Sequence, residues 1–162
     1  MTLAGSEEAF AGARTLVLGI GNFLLGDEGV GVVAAQLLTN MALGDHVEVL
    51  DGGTGGFHLL AHFDGVERLI LIDAALDGHP PGTVRTIRPR FLNEFPRALS
   101  AHEIGLRDLI ESATLLGKMP PTDLVTVSVA VPRDLGTELS PAVAAALPVV
   151  IARVRELLGV VG

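Results

Sequence analysis

The stretch Thr15–Leu38 reads TLVLGIGNFLLGDEGVGVVAAQLL. Its first part, Thr15–Gly21, is a short apolar run closed by glycine, the pattern of a buried strand. From Asp27 to Leu43 the apolar residues Val30, Val33, Ala34, Leu37, Leu38 and Met41 recur at helical spacing and cover nearly the whole circumference. That predicts a well-covered helix, with Gly44 suited to follow its end. A buried strand, a glycine-rich loop and a covered helix are the opening of a parallel α/β sheet.

The same alternation continues. His46–Leu50 predicts a second strand, closed by Asp51-Gly52-Gly53, and Thr54–Asp64 a short helix ended by Gly65. Leu69–Ile72 is continuously apolar, as expected of a strand covered on both faces. Pro81-Gly82 suits a type II turn before a strand over Thr83–Ile87. Ser100–Glu103 has the S-x-x-E form of a capping box, and Leu106, Leu109, Ile110, Ala113 and Leu116 follow at helical spacing. Leu124–Val131 alternates as a strand, and a last helix runs from Pro141 to Leu158, with Pro148 placed to kink it. The expected fold is a single three-layer α/β/α domain with a mostly parallel central sheet of about five strands. It spans residues 14–162 behind a loose tail, residues 1–13.

Composition narrows the function. The 162 residues carry a net charge of −8, which disfavours phosphate backbones and anionic membranes as partners. Aromatic residues are 4%, with neither tryptophan nor tyrosine, so base-stacking platforms are not expected. The absence of cysteine removes disulfides, iron–sulfur clusters, thiolate zinc sites and thiol nucleophiles together. Despite a mean hydropathy of +0.52, no apolar run reaches the roughly 18 residues of a spanning helix. Glu7 and Glu8 stand where a signal peptide carries positive charge. The expected location is the cytoplasm.

In open α/β sheets ligands sit outside the carboxyl ends of the strands. The loops Gly21–Glu28, Asp51–Thr54 and Asp73–Ala75 fall there, and each carries a carboxylate. Gly19-x-Gly21 after a strand suggests a dinucleotide fold, but Leu24 replaces the third glycine, and Asp27 and Glu28 would repel a pyrophosphate. Asp27 also reads simply as the cap of the next helix and Glu28 as an acid of its first turn, and Asp51 as an Asx turn. Asp73, at the end of an apolar strand, must be paired or lie at the functional edge. His102 opens its helix, whose positive end disfavours imidazolium and leaves the neutral, metal-binding form. His58 and His62 are four apart on the second helix, on one face, without the glutamate of H-E-x-x-H. They read as surface histidines. No G-x-S-x-G and no phosphate-binding P-loop motif occurs.

Taken together, GIGNFLLGDEGVG (Gly19–Gly31), DGGTGG (Asp51–Gly56), LIDA (Leu71–Ala74), PGTV (Pro81–Val84) and SAHEIGL (Ser100–Leu106) resemble the [NiFe]-hydrogenase maturation endopeptidases. The likeness runs in order from about Thr15 into the last helix, and the first thirteen residues lie outside it. The resemblance implies a cytoplasmic protease that removes a C-terminal extension from the [NiFe]-hydrogenase large-subunit precursor after nickel has been inserted. It implies Glu28, Asp73 and His102 as the metal-contacting residues and Asp51 as a further residue of the site. Nickel is then carried by the precursor, and the free enzyme needs none of its own. Two carboxylates and one imidazole independently suit a borderline divalent ion with coordination left open. Without a thiol or an activated serine, peptide cleavage calls for water activated by the metal or by a carboxylate. The sequence leaves both open. A dinucleotide-binding oxidoreductase and a non-catalytic module that checks metal loading are the competing readings.

Overall fold

The computed structural model describes residues 12–96, 103–131 and 136–160, and for 103–105 the backbone alone. The expected tail therefore lies almost wholly outside the described residues, as does most of the Ser100–Glu103 capping box. Eight elements carry the fold: β1 (Thr15–Gly19), α1 (Val30–Thr39), β2 (Val47–Asp51), β3 (Arg68–Ala75), β4 (Val84–Ile87), α2 (Glu103–Leu115), β5 (Thr122–Ser128) and α3 (Pro141–Leu157). Three 3₁₀ turns intervene, at Gly26–Gly29, Phe57–Phe63 and Leu92–Glu94. The sheet order is β2-β1-β3-β5-β4. All pairings are parallel except that of β4 with β5.

Side-chain alternation divides the core between the two faces of the sheet. Ile70, Ile72 and Ala74 of β3 pack with Val30, Ala34 and Leu38 of α1 and Val143, Val150 and Val154 of α3. Leu69, Leu71 and Ala75 pack on the other face with Leu59 and Phe63 and with Leu106, Leu109 and Ala113 of α2. Every residue of β3 is buried, which is why its sequence is apolar on both faces. Its one cation in the described strand, Arg68, is buried against Asp123 of β5, with Nη2–Oδ2 at 2.8 Å. Arg88 Nε closes on the other oxygen at 2.7 Å. This cluster lies at the amino edge of the sheet.

The motif glycines permit a close helix–strand contact. A Cβ on Gly31 would stand 2.3 Å from the carbonyl oxygens of both Ile20 and Ile72, and one on Gly19 would stand 2.1 Å from Gly31 O. Any side chain at either position would push α1 off the β1/β3 pair.

Several boundaries differ from the sequence expectation. The helix expected over Asp27–Leu43 is a 3₁₀ turn followed by an α-helix that ends at Thr39, and Leu37 and Met41 are exposed rather than covered. Apolar periodicity does not separate a 3₁₀ turn from the α-helix it leads into. The second helix is likewise a 3₁₀ segment, capped from Gly56 rather than Thr54. β3 runs three residues past Ile72, so Asp73–Ala75 is strand, not loop. β5 begins two residues earlier than expected and ends at Ser128. The turn at Pro81-Gly82 is as expected, with Thr83 N donating to Pro80 O at 3.1 Å and Gly82 at φ +90°. Among the described residues no helix is long and apolar enough to cross a membrane.

Candidate active site

Strand order sets the location. The chain leaves β1 toward β2 on one side, then returns past β1 to β3 on the other. The connections diverge between β1 and β3, and a crevice opens at the carboxyl ends of these two strands. The Gly26–Gly29 turn packs against β3 there.

Glu28 sits in that turn and is 1% exposed. Its loop is held by the backbone. Gly21 N donates to Gly53 O at 2.7 Å and Asn22 N to Glu28 O at 3.2 Å. Gly26 N donates to Gly136 O at 2.7 Å, and Gly136 N returns a bond to Leu24 O at 2.8 Å. Asp27 does not cap α1, whose N-cap is Gly29. Its Oδ1 accepts instead from Ser140 N, at the start of α3.

Asp73 is fully buried inside β3, in register with Thr126 of β5, and its Oδ1 accepts from Ala74 N at 2.8 Å. Strand alternation places it on the face of Leu71 and Ala75, the face covered by α2. Burying a carboxylate costs several kcal/mol unless a counter-charge or a proton offsets it. Glu28, in the turn that packs against β3, and Asp73, within β3, are both buried carboxylates near this edge.

His102 lies outside the described residues. The helix that follows it is informative. Lys118, just past the end of α2, pairs with Asp64 at 2.9 Å, at the amino edge where the chain enters β3. Thirteen residues of helix rise about 20 Å, so the Glu103 end of α2 lies toward the carboxyl edge. Among the described residues no three His, Cys, Asp or Glu side chains stand together as a metal site.

Asp51 ends β2, two strands away from β3, which separates the two backbones by roughly 10 Å. Its Oδ1 accepts from Gly53 N at 2.9 Å, the expected Asx turn, and its Oδ2 from Gln36 Nε2 at 3.2 Å. Asp51 thus shapes the loop whose Gly53 holds Gly21. His58 and His62 are both exposed. On a 3₁₀ turn, residues four apart are a third of a turn from each other, so they do not share a face as expected. His62 Nδ1 stands 3.7 Å from Glu48 Oε1 instead.

One polar group at this edge escaped the sequence reading. Asp77 follows β3 and accepts from Ser128 Oγ at 3.1 Å and from His79 N at 3.1 Å. Burial on its own would raise its pKa; the Ser128 and His79 hydrogen bonds and the His79 charge outweigh it and hold the carboxyl below the ordinary aspartate value. The available signal was Ser128 itself, a buried hydroxyl at the carboxyl end of β5.

The structure is thus a three-layer α/β/α domain with a buried carboxylate on the loop after β1 and another in β3, near the carboxyl ends of its central strands. A family model for hydrogenase maturation proteases matches residues 32–156. The hydrogenase expression/formation protein HupD of Rhodobacter capsulatus is 40% identical over 156 residues, covering 92% of this chain and 73% of that protein. The hydrogenase 2 maturation protease of Escherichia coli is 36% identical over 152 residues, covering 88% and 92%. Among solved structures, the hydrogenase maturating endopeptidase HybD from E. coli aligns with a TM-score of 0.75 and 35% identity over 87% of this chain and 89% of that one. The [NiFe] hydrogenase maturation protease HybD from Thermococcus kodakarensis aligns with a TM-score of 0.75 and 29% identity over 90% and 99%. The chain belongs to the hydrogenase maturation protease family, and it is an endopeptidase.

Proposed function

We propose that the protein removes the C-terminal extension of a [NiFe]-hydrogenase large-subunit precursor once nickel is in place, and so activates the hydrogenase. The observation that carries this reading is the pair of buried carboxylates, Glu28 and Asp73, at the β1/β3 crevice of a chain in this family. A cation near both would offset part of the cost of burying two carboxylates. Oxygen donors with one imidazole, His102, form a donor set suited to nickel, with coordination left for the substrate. In this reading nickel arrives as part of the substrate, and Glu28, Asp73 and His102 read its presence.

The chain has no thiol to act as nucleophile. Water attacks the scissile carbonyl, a carboxylate of the crevice takes its proton, and that proton passes to the leaving amine. The positive charge of the substrate's nickel stabilises the negative charge that develops on the carbonyl oxygen. Asp51 acts one step back, by accepting the Gly53 N–H and so orienting Gly53, whose carbonyl accepts from Gly21 N and fixes the Glu28 loop. The working place of such a protein is the cytoplasm, where the precursor is made.

The test is incubation with nickel-loaded and nickel-free precursor followed by intact mass. Loss of one discrete C-terminal peptide from the loaded form alone supports the reading. Nickel-dependent binding without cleavage identifies a checkpoint module instead, and cleavage regardless of nickel removes the metal from recognition.

A further inference from the structure

Large apolar side chains are exposed around the crevice. Phe23 is 50% and Leu24 52% exposed on the loop after β1, and Phe57 is 64% exposed on the loop after β2. These loops are joined by the Gly21–Gly53 hydrogen bond, two residues from Phe23 and four from Phe57. On the far side of β3, Val131 is exposed beyond the end of β5. Apolar surface gathered at one place on an enzyme marks a contact surface.

The fold does not need these side chains. The loop after β1 is fixed by Asn22 N to Glu28 O, by Leu24 N to the Asn22 side chain, and by the two backbone bonds to Gly136. The Phe23 backbone is pressed against Gly29, where a Cβ would come within 2.4 Å of Phe23 Cα. The ring above it is left to solvent.

We propose that Phe23, Leu24 and Phe57 form the docking surface for an apolar stretch of the polypeptide substrate beside the scissile bond. This rests on the function proposed above. The occupant is a polypeptide because the family cleaves peptide bonds. It is apolar because the surface offers aromatic and aliphatic side chains. Acidic residues in it are disfavoured by Asp51, exposed at the end of β2, and by the net charge of −8 on the chain. Contacts made equally to the bound substrate and the transition state set KM and leave kcat unchanged.

The experiment compares wild type with Phe23→Ser, Leu24→Ser, Phe57→Ser and the triple variant on nickel-loaded precursor. The expected result for the triple variant is a rise in KM of roughly tenfold or more, kcat within about twofold, and an unchanged Tm. An unchanged KM in the folded triple variant overturns the proposal. Sedimentation of wild type and triple variant tests a second copy as occupant: self-association that the triple variant abolishes, with KM unaltered, also overturns it. Failure of wild type to cleave strikes the proposed function, not the docking surface. Docking is then read by titrating the precursor into Asp73→Asn with and without the triple substitution. Weaker binding with it supports the surface, and equal binding overturns it.

Discussion

Asp27 Oδ1 accepts the backbone N–H of Ser140 at 2.6 Å, across 113 residues of sequence. Asp27 is adjacent to Glu28, and Ser140 is the N-cap of α3, so one hydrogen bond ties the loop of the crevice to the last helix. The two Gly136 bonds run parallel to it. Position within the Glu28 loop is therefore set from the far end of the chain.

Asp27→Ala removes a charge-assisted acceptor and leaves a part-buried N–H without its partner. The expected cost is about 1.5–3 kcal/mol, with a drop in cleavage beyond what the fraction unfolded explains. Asp27→Asn keeps an acceptor oxygen and recovers most of both. Urea melts and precursor cleavage on the two variants check this. Equal cleavage by Asp27→Ala and wild type would show that the tether does not position Glu28.

Asp73→Asn should stop cleavage while the protein stays folded. The amide keeps the shape and the acceptor for Ala74 N–H, but not the charge that attracts a cation or takes a proton from water. A purely structural Asp73 would tolerate asparagine, because the amide fills the same space and accepts the same bond. Cleavage and Tm measured on one preparation separate the two roles. Full cleavage by a folded Asp73→Asn protein would remove Asp73 from the mechanism.

His58→Ala with His62→Ala should leave both cleavage and stability within error. Both residues are exposed, and the His62–Glu48 contact at 3.7 Å is of the kind worth about 0–1 kcal/mol. Loss of cleavage in the folded double variant would move the metal-contacting role to these histidines.

The parallel frame was legible because the middle of β1 and of β3 is apolar on both faces, with a glycine closing β1 and a carboxylate near the end of β3. Glu28 and Asp73 were legible as residues of the carboxyl edge for the same reason. What was not legible depends on contacts distant in sequence. β4 is antiparallel because it returns along β5, which its own residues do not announce. Asp73 lies inside β3, not after it, because β5 extends alongside to pair Ala75 with Ser128. Asp27 and Asp51 spend their oxygens on Ser140 and Gln36, partners that local spacing does not indicate. The 3₁₀ geometry at Phe57–Phe63, which separates His58 from His62, leaves no trace in a pattern of apolar residues that suits either helix type.

Asp123 allows stability to be moved without touching the crevice. It is 4% exposed, and its carboxylate is shared by Arg68 on one oxygen and Arg88 on the other. Arg68 also donates to Leu157 O at 2.6 Å, so the cluster joins β3, β5 and the end of α3. Its residues start β3 and β5, at the opposite edge of the sheet from Glu28. Asp123→Ala takes away the anion that holds the buried Arg68 guanidinium on two nitrogens, at a cost of about 3–5 kcal/mol. For a chain of this size each kcal/mol lowers Tm by roughly 2–4 °C, so the expected fall is on the order of 6–20 °C. Breaking a buried pair from one side is costly because the remaining charge loses its counter-charge without regaining water. Replacing Asp123 and Arg68 together with leucine and methionine removes that charge, and most of the lost Tm returns. At a temperature well below both midpoints, Asp123→Ala should cleave precursor with wild-type kcat and KM, because nothing in the cluster touches the carboxyl edge. A changed KM or kcat under those conditions would show that the two edges of the sheet are coupled.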